Sequence, residues 1–124
     1  MSSITVSEML ERARSGFDRV APSDLSDAVS KGAIVVDVRD SAQRSAQGDL
    51  PGAHIIDLTV LEWRLAPSSP SRIMDVAPDQ EVILVCRQGC SSSLAASRLR
   101  ELGLSRATDL IGGYEAWRAH VEGR

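Results

Sequence analysis

Two cysteines, Cys86 and Cys90, are the only thiols in a chain of 124 residues, and they lie four positions apart. A pair so close in one segment cannot staple a small fold together, so reactivity is the question to ask of them. Cys86 closes the run Glu81-Val82-Ile83-Leu84-Val85-Cys86, which passes into Arg87-Gln88-Gly89-Cys90-Ser91-Ser92 and then into a helical segment. A residue at the carboxyl end of a buried parallel strand sits where open α/β sheets bind ligands. A loop curling from strand into helix turns backbone N–H groups inward as an anion nest, and the helix start adds a partial positive charge. With the full charge of Arg87, all three favour thiolate over thiol. An ordinary thiol of pKa ~8.5 is only about 3% ionised at pH 7. Lowering it by two units makes it roughly three-quarters thiolate and takes ~2.7 kcal/mol. Helix-terminus effects reach ~2 kcal/mol, so the loop amides and one arginine need supply only the remainder. Spacing alone leaves two readings of Cys86 level: a nucleophile, or a strand-end cysteine packing as a small hydrophobe.

Other residues could join such a site. Gln88 and Ser92 carry groups able to hydrogen-bond a ligand, and Ser92 could equally cap the helix beginning nearby. Cys90 is either a resolving thiol that exchanges with Cys86 or a small loop side chain pointing away. Two cysteines with no nearby histidine do not complete a zinc site. His54 is expected to be a hydrogen-bonded structural residue rather than a base. Arg64 and Arg72 flank a Pro/Ser-rich loop and are expected on solvated surface.

The elements that must position these residues follow from pattern. Val6, Met9, Leu10, Ala13 and Phe17 recur at helical spacing, with Thr5 or Ser7 as cap and Gly16 as stop. A short helix follows Pro22 and runs to about Ser30. Ala33 to Val38 is a continuously apolar, β-branched run, the mark of a strand buried on both faces. Residues 39–49 are polar with one helical turn expected, before Leu50-Pro51-Gly52. A second strand is expected over Ala53 to Ile56, a helix over Thr59 to Leu65, and a loop over Ala66 to Ser71. The helix from Ser93 to Leu102 is expected to bury Leu94, Ala95, Arg98, Leu99 and Leu102, with Gly103 as its stop. A strand over Ala107 to Ile111, a turn at Gly112-Gly113 and a helix over Tyr114 to Val121 complete the chain. Trp63 and Trp117 are expected to pack helices onto the sheet. Alternating strands and helices predict an α/β sandwich with a mainly parallel sheet.

Composition agrees. With 43% hydrophobic and 25% charged residues the chain is an ordinary globular domain, and four aromatics leave the core to Val, Ile, Leu and Ala. A net charge of −3 gives no electrostatic reason to expect nucleic acid or an anionic membrane as partner. The first 20 residues mix charges among the apolar positions, unlike a signal peptide, and no apolar run approaches the ~20 residues of a membrane span. The expected location is the reducing cytoplasm, with both thiols free.

Four short motifs in order resemble the single-domain rhodanese-like sulfurtransferases: Asp37-Val38-Arg39, Leu50-Pro51-Gly52-Ala53, Val85-Cys86-Arg87-Gln88-Gly89 and Gly112-Gly113-Tyr114-Glu115-Ala116-Trp117. The resemblance spans Val20 to Val121. It implies a three-layer sandwich with helices on both faces of the sheet, a rhodanese-like domain over residues 19–124 and a helical extension over residues 1–18. It implies Cys86 as the catalytic residue, with Arg87, Gln88, Gly89, Cys90, Ser91 and Ser92 as the substrate-binding loop. Asp37 and Arg39 then form a pair beneath that loop, read here as a structural salt bridge. The implied chemistry moves sulfane sulfur from thiosulfate or a persulfide to a thiol or cyanide through a Cys86 persulfide, with no metal or organic cofactor. A sulfur-accepting protein could be the partner. The alternative within the resemblance is a non-enzymatic persulfide carrier or redox sensor with little turnover of small donors. Many members carry an arginine where this chain has Ser91, so thiosulfate is expected to be a poor donor. Related phosphatases need an arginine six residues after the cysteine, and Ser92 stands there.

Overall fold

The computed structural model describes residues 2–124. Four strands, β1 (Ile34–Asp37), β2 (His54–Ile55), β3 (Val82–Val85) and β4 (Ala107–Asp109), form one parallel sheet in the order β2-β1-β3-β4. The helices are α1 (Val6–Arg14), α2 (Leu25–Ser30), α3 (Ser41–Gln47), α4 (Leu61–Leu65), α5 (Ser91–Glu101) and α6 (Gly113–Val121). Short 3-10 turns at Pro22–Asp24 and Leu58–Val60 lead into α2 and α4.

The two central strands are apolar at successive positions because both faces are covered. Val36, Val82, Leu84 and Ala107 pack with Leu61 and Leu65 of α4 and Ala95, Ala96 and Leu99 of α5. Val35, Ile83, Val85 and Leu110 pack on the other side with Leu25, Leu50 and Tyr114. Three layers follow directly. β1 continues on one side to β2 and the chain then returns to pair β3 on the other, so the order reverses between β1 and β3. The chain leaves β1 into α3 and leaves β3 into α5, on opposite faces of the sheet. A crevice opens between two such departures, beyond the carboxyl ends of the strands.

Several expectations need correction. The polar stretch after β1 forms two turns, not one, because Asp40 and Gln43 complete a capping box for α3. The second strand shrinks to His54–Ile55 at an exposed edge, and His54 lies at the surface rather than in a structural network. Trp63 is 60% exposed and packs no helix onto the sheet, whereas Trp117 lies against the core beside Tyr114. α5 starts two residues earlier than expected, and its buried face is Ser92, Ser93, Ala95, Ala96 and Leu99, with Arg98 and Leu102 exposed. Small residues there let the helix lie close on β3 and β4, and Leu104, past the Gly103 stop, takes the place expected of Leu102. Thr5, not Ser7, caps α1 through a reciprocal pair with Glu8. That helix packs on the outer side of α5, burying Ala13.

Candidate active site

Cys86 follows β3 directly, and its sulfur is reached by two groups of the loop. The Gly89 N–H donates to Sγ at 3.0 Å, and the thiol donates to Ser92 Oγ at 3.1 Å. The loop presents its amides inward because its carbonyls are taken from behind. The N–H groups of Tyr114 and Glu115, at the start of α6, donate to the carbonyls of Cys86 and Arg87 at 2.8 and 3.2 Å. The Gly89 carbonyl receives two guanidinium groups, from Arg14 at 2.8 Å and Arg19 at 2.9 Å. This back-to-back contact requires glycine. Gly89 has φ +86°, and a Cβ there would lie 2.7 Å from the Gly112 nitrogen. Gly113 has φ +63°, and a Cβ would strike the Cys86 carbonyl oxygen. Both conformations are ones that side-chain-bearing residues rarely adopt.

Behind the loop lies a fully satisfied polar network. Ser92 Oγ donates to Asp109 Oδ2 at 2.7 Å and Ser93 Oγ to the same oxygen at 2.8 Å. Arg19 pairs with Asp109 through Nε at 2.8 Å and Nη2 at 3.2 Å. Burial pushes the Cys86 thiol up, but the hydrogen bonds of Ser92, Ser91 and Gly89 outweigh it and hold the thiol below its ordinary value. Arg87 does not contribute the charge expected of it. Its guanidinium turns to Glu115, 2.8 Å away, and Gln88 and Gln47 reach the same carboxylate at 3.4 and 2.9 Å. Those contacts, Arg87 first, hold the Glu115 carboxyl below its usual range.

Cys86 opens into a cavity of about 580 Å³ at the reversal point of the sheet. Cys90, Ser91, Arg87 and Gln88 form one wall; Arg39, Asp40 and Gln43 of the β1–α3 segment and Asp57, Leu58 and Thr59 form the other. Cys90 is exposed at the start of α5, and both cysteines are free. Ser92 lies inside the first turn of α5 and caps nothing; its hydroxyl is spent on Cys86 and Asp109. Asp37 and Arg39 form a buried pair at 2.7 Å. Arg39 also donates to the Gly48 carbonyl at 2.9 Å and stacks on the Tyr114 ring with its guanidinium carbon 3.9 Å from the centroid. All three nitrogens of that head group bond protein acceptors, Nη1 reaching Gln47 Oε1 at 3.4 Å, so the pair joins β1, α3 and α6. Arg64 and Arg72 lie outside the cavity wall and bond backbone of the 66–71 loop.

Sequence reading missed Arg14, Arg19, Ser93 and Asp109. Asp109 alone left a signal, as a carboxylate inside the run Ala107 to Ile111 that must be buried and therefore partnered.

A parallel three-layer sheet with a thiol cradled by amides at its reversal point defines a class of α/β thiol proteins, and comparison with known proteins names the family. The model of the rhodanese-like domain matches residues 21–120. The chain belongs to the rhodanese-like domain family. It is 35% identical to the thiosulfate sulfurtransferase GlpE of Ectopseudomonas mendocina over 105 residues, 85% of this chain and 88% of that one. RPA3614 from Rhodopseudomonas palustris, described as a protein of unknown function and possible tyrosine phosphatase, superposes with a TM-score of 0.82 at 26% identity. That match covers 98% of this chain and 94% of the other, so it takes in α1. Human single-domain sulfurtransferase TSTD1 shares the fold at a TM-score of 0.65 and 24% identity, covering 81% of this chain and 94% of its own.

Proposed function

We propose that the protein is a sulfurtransferase that carries sulfane sulfur as a persulfide on Cys86. The observation that carries this reading is the cradle itself: a thiol held below its ordinary pKa by loop hydrogen bonds, at the floor of a cavity, in a chain related to thiosulfate sulfurtransferases. The Cys86 thiolate attacks the outer sulfur of the donor. The new S–S bond forms as the donor's S–S bond breaks, and the electron pair leaves on sulfite from thiosulfate or on a thiolate from a persulfide. An acceptor thiolate or cyanide then attacks the terminal sulfur and Cys86 leaves as thiolate. Ping-pong kinetics follow. The Gly89 N–H and the Ser92 hydroxyl bear on the sulfur that gains and loses charge, which is how a preorganised site lowers such barriers.

The cavity favours a donor with little charge. Arg39 is spent on Asp37 and Arg87 on Glu115, while Asp40 and Asp57 stand on the far wall. Ser91 replaces an arginine that would add a charge-assisted contact of about 1.5–3 kcal/mol to a dianion. A persulfide is therefore the better donor and thiosulfate the poorer. A phosphatase has less support: position 92 holds a buried serine bonded to Asp109, where phosphate binding by such a loop needs arginine. Two free thiols fit a reducing compartment, and no helix among the described residues is long and apolar enough to cross a membrane.

Intact mass after treatment with thiosulfate or glutathione persulfide tests the reading. We expect a gain of one sulfur atom that Cys86→Ala abolishes, and turnover to a thiol acceptor. Adduct without turnover would make the protein a carrier, and no adduct with either donor would overturn the persulfide reading.

A further inference from the structure

The hydrogen bonds around Ser92 all hold together only while Cys86 is a thiol. Its hydroxyl lies 2.7 Å from Asp109 Oδ2 and 3.1 Å from Cys86 Sγ, yet it has one proton to give. While Cys86 is a thiol the arrangement closes, with S–H donating to Oγ and O–H donating to Asp109. Once the sulfur is anionic it can take a second donor beside the Gly89 N–H, and a hydroxyl already within reach is aimed the other way. Asp109 can give up that hydrogen bond at small cost. Ser93 Oγ at 2.8 Å and Arg19 at 2.8 and 3.2 Å remain on the fully buried carboxylate, so it is never left without partners.

We propose that the Ser92 hydroxyl is a two-position proton donor, aimed at Asp109 while Cys86 is a thiol and at the sulfur once it is charged. Arg19, Ser93 and Asp109 are positioning residues that act through Ser92 and do not touch substrate. The switch is a rotation about the Cβ–Oγ bond of Ser92. The thiol proton leaves to water in the cavity, and neither Ser92 nor Asp109 changes its proton count. The same rotation would serve Cys86 when it departs as thiolate from its persulfide, and in that role it rests on the sulfurtransferase reading.

Other charged groups face the loop: Arg14 from α1, Arg87 with Glu115, Arg39 with Asp37, and Asp40 and Asp57 across the cavity. None of them shares a hydroxyl with the sulfur, so a double-variant cycle isolates Asp109. The readout is the pH midpoint of iodoacetamide alkylation of Cys86. Trypsin cuts after Arg87, so Cys86 and Cys90 fall on separate peptides and mass spectrometry follows each thiol in the same sample. S92A is expected to raise the midpoint. D109N is expected to lower it, by freeing the Ser92 proton and removing a negative charge. The charge effect persists in the S92A background while the proton effect does not. The D109N shift should therefore be larger with Ser92 present, by about half a pH unit or more. Equal shifts in the two backgrounds, or none in either, would overturn the proposal.

S93A covers the case in which D109N does not fold. It removes the other hydroxyl from Asp109, so the carboxylate keeps the Ser92 proton more firmly. The midpoint should rise with Ser92 present and stay put in S92A; a midpoint unmoved in both overturns the switch. Alkylation reads the unmodified thiol. Absence of sulfur uptake would therefore sink the sulfurtransferase reading and leave the switch standing, and a flat cycle would do the reverse.

Discussion

Cys86 shows how one residue type acquires chemistry from its surroundings. Burial alone would make it an inert small hydrophobe, and desolvation is indeed the largest influence on its thiol. The hydrogen bonds of Ser92, Ser91 and Gly89 together outweigh that influence and leave the thiolate favoured. The sign has a direct consequence. A thiol depressed in the folded state ionises at lower pH than the same thiol in the unfolded chain. Alkylation of the Cys86 peptide should therefore reach half its maximal rate at lower pH in the folded protein than in denaturant. Ser91 offers a second test at this scale. Ser91→Arg places a cation on the cavity wall and should raise kcat/KM for thiosulfate about tenfold, with little change for a neutral persulfide. An unchanged thiosulfate rate would show that donor charge is not what limits it.

At the scale of elements, the site is made by three segments that converge on one turn of loop. β3 delivers the thiol, α5 supplies Ser92 and Ser93, and the start of α6 consumes the loop carbonyls so that the amides face inward. α1 adds Arg14, which reaches both Ser93 Oγ at 2.9 Å and the Gly89 carbonyl. Glycine is what lets α6 approach. Gly113→Ala places a Cβ against the Cys86 carbonyl at a positive φ, so loop and helix must separate. The expected loss is about 1–3 kcal/mol of stability from the strained backbone alone. Thermal denaturation measures that loss, and the alkylation midpoint of Cys86 should rise toward an ordinary thiol as the cradle loosens.

Across the whole molecule, the sheet holds the loop while buried ion pairs lock the layers in register. Asp37–Arg39 is the clearest, with both side chains inside and the guanidinium tied to Gly48 and stacked on Tyr114. Arg39→Met removes the partner of a buried carboxylate, and breaking such a pair costs about 3–5 kcal/mol. A Tm lower by about 10 °C or more is expected for a domain of this size. A variant as stable as the parent at neutral pH would show that the pair adds nothing to the fold.

The sequence by itself determined the strands, their alternation with helices and the thiol at a strand's carboxyl end, because these depend on neighbours in the chain; the order of the strands came only with the fold. β-branched runs make buried strands, and glycines mark the turns that need positive φ. Four motifs in family order did the rest. Local pattern erred where a helix face depended on what packed there: α5 begins early and buries serines and alanines, and Trp63 faces solvent. The electrostatics belonged to the tertiary structure alone. Arg87 reads as the positive charge of the loop until Glu115, 28 positions away, takes it. Arg14 and Arg19 look like surface residues until they meet Gly89, 75 and 70 positions on. Asp109 reads only as a charge in a strand, and the fold brings it to Ser92, 17 positions back. Hydrogen bonds and ion pairs act over about 3 Å, and no periodicity in sequence records which distant groups a fold will bring that close.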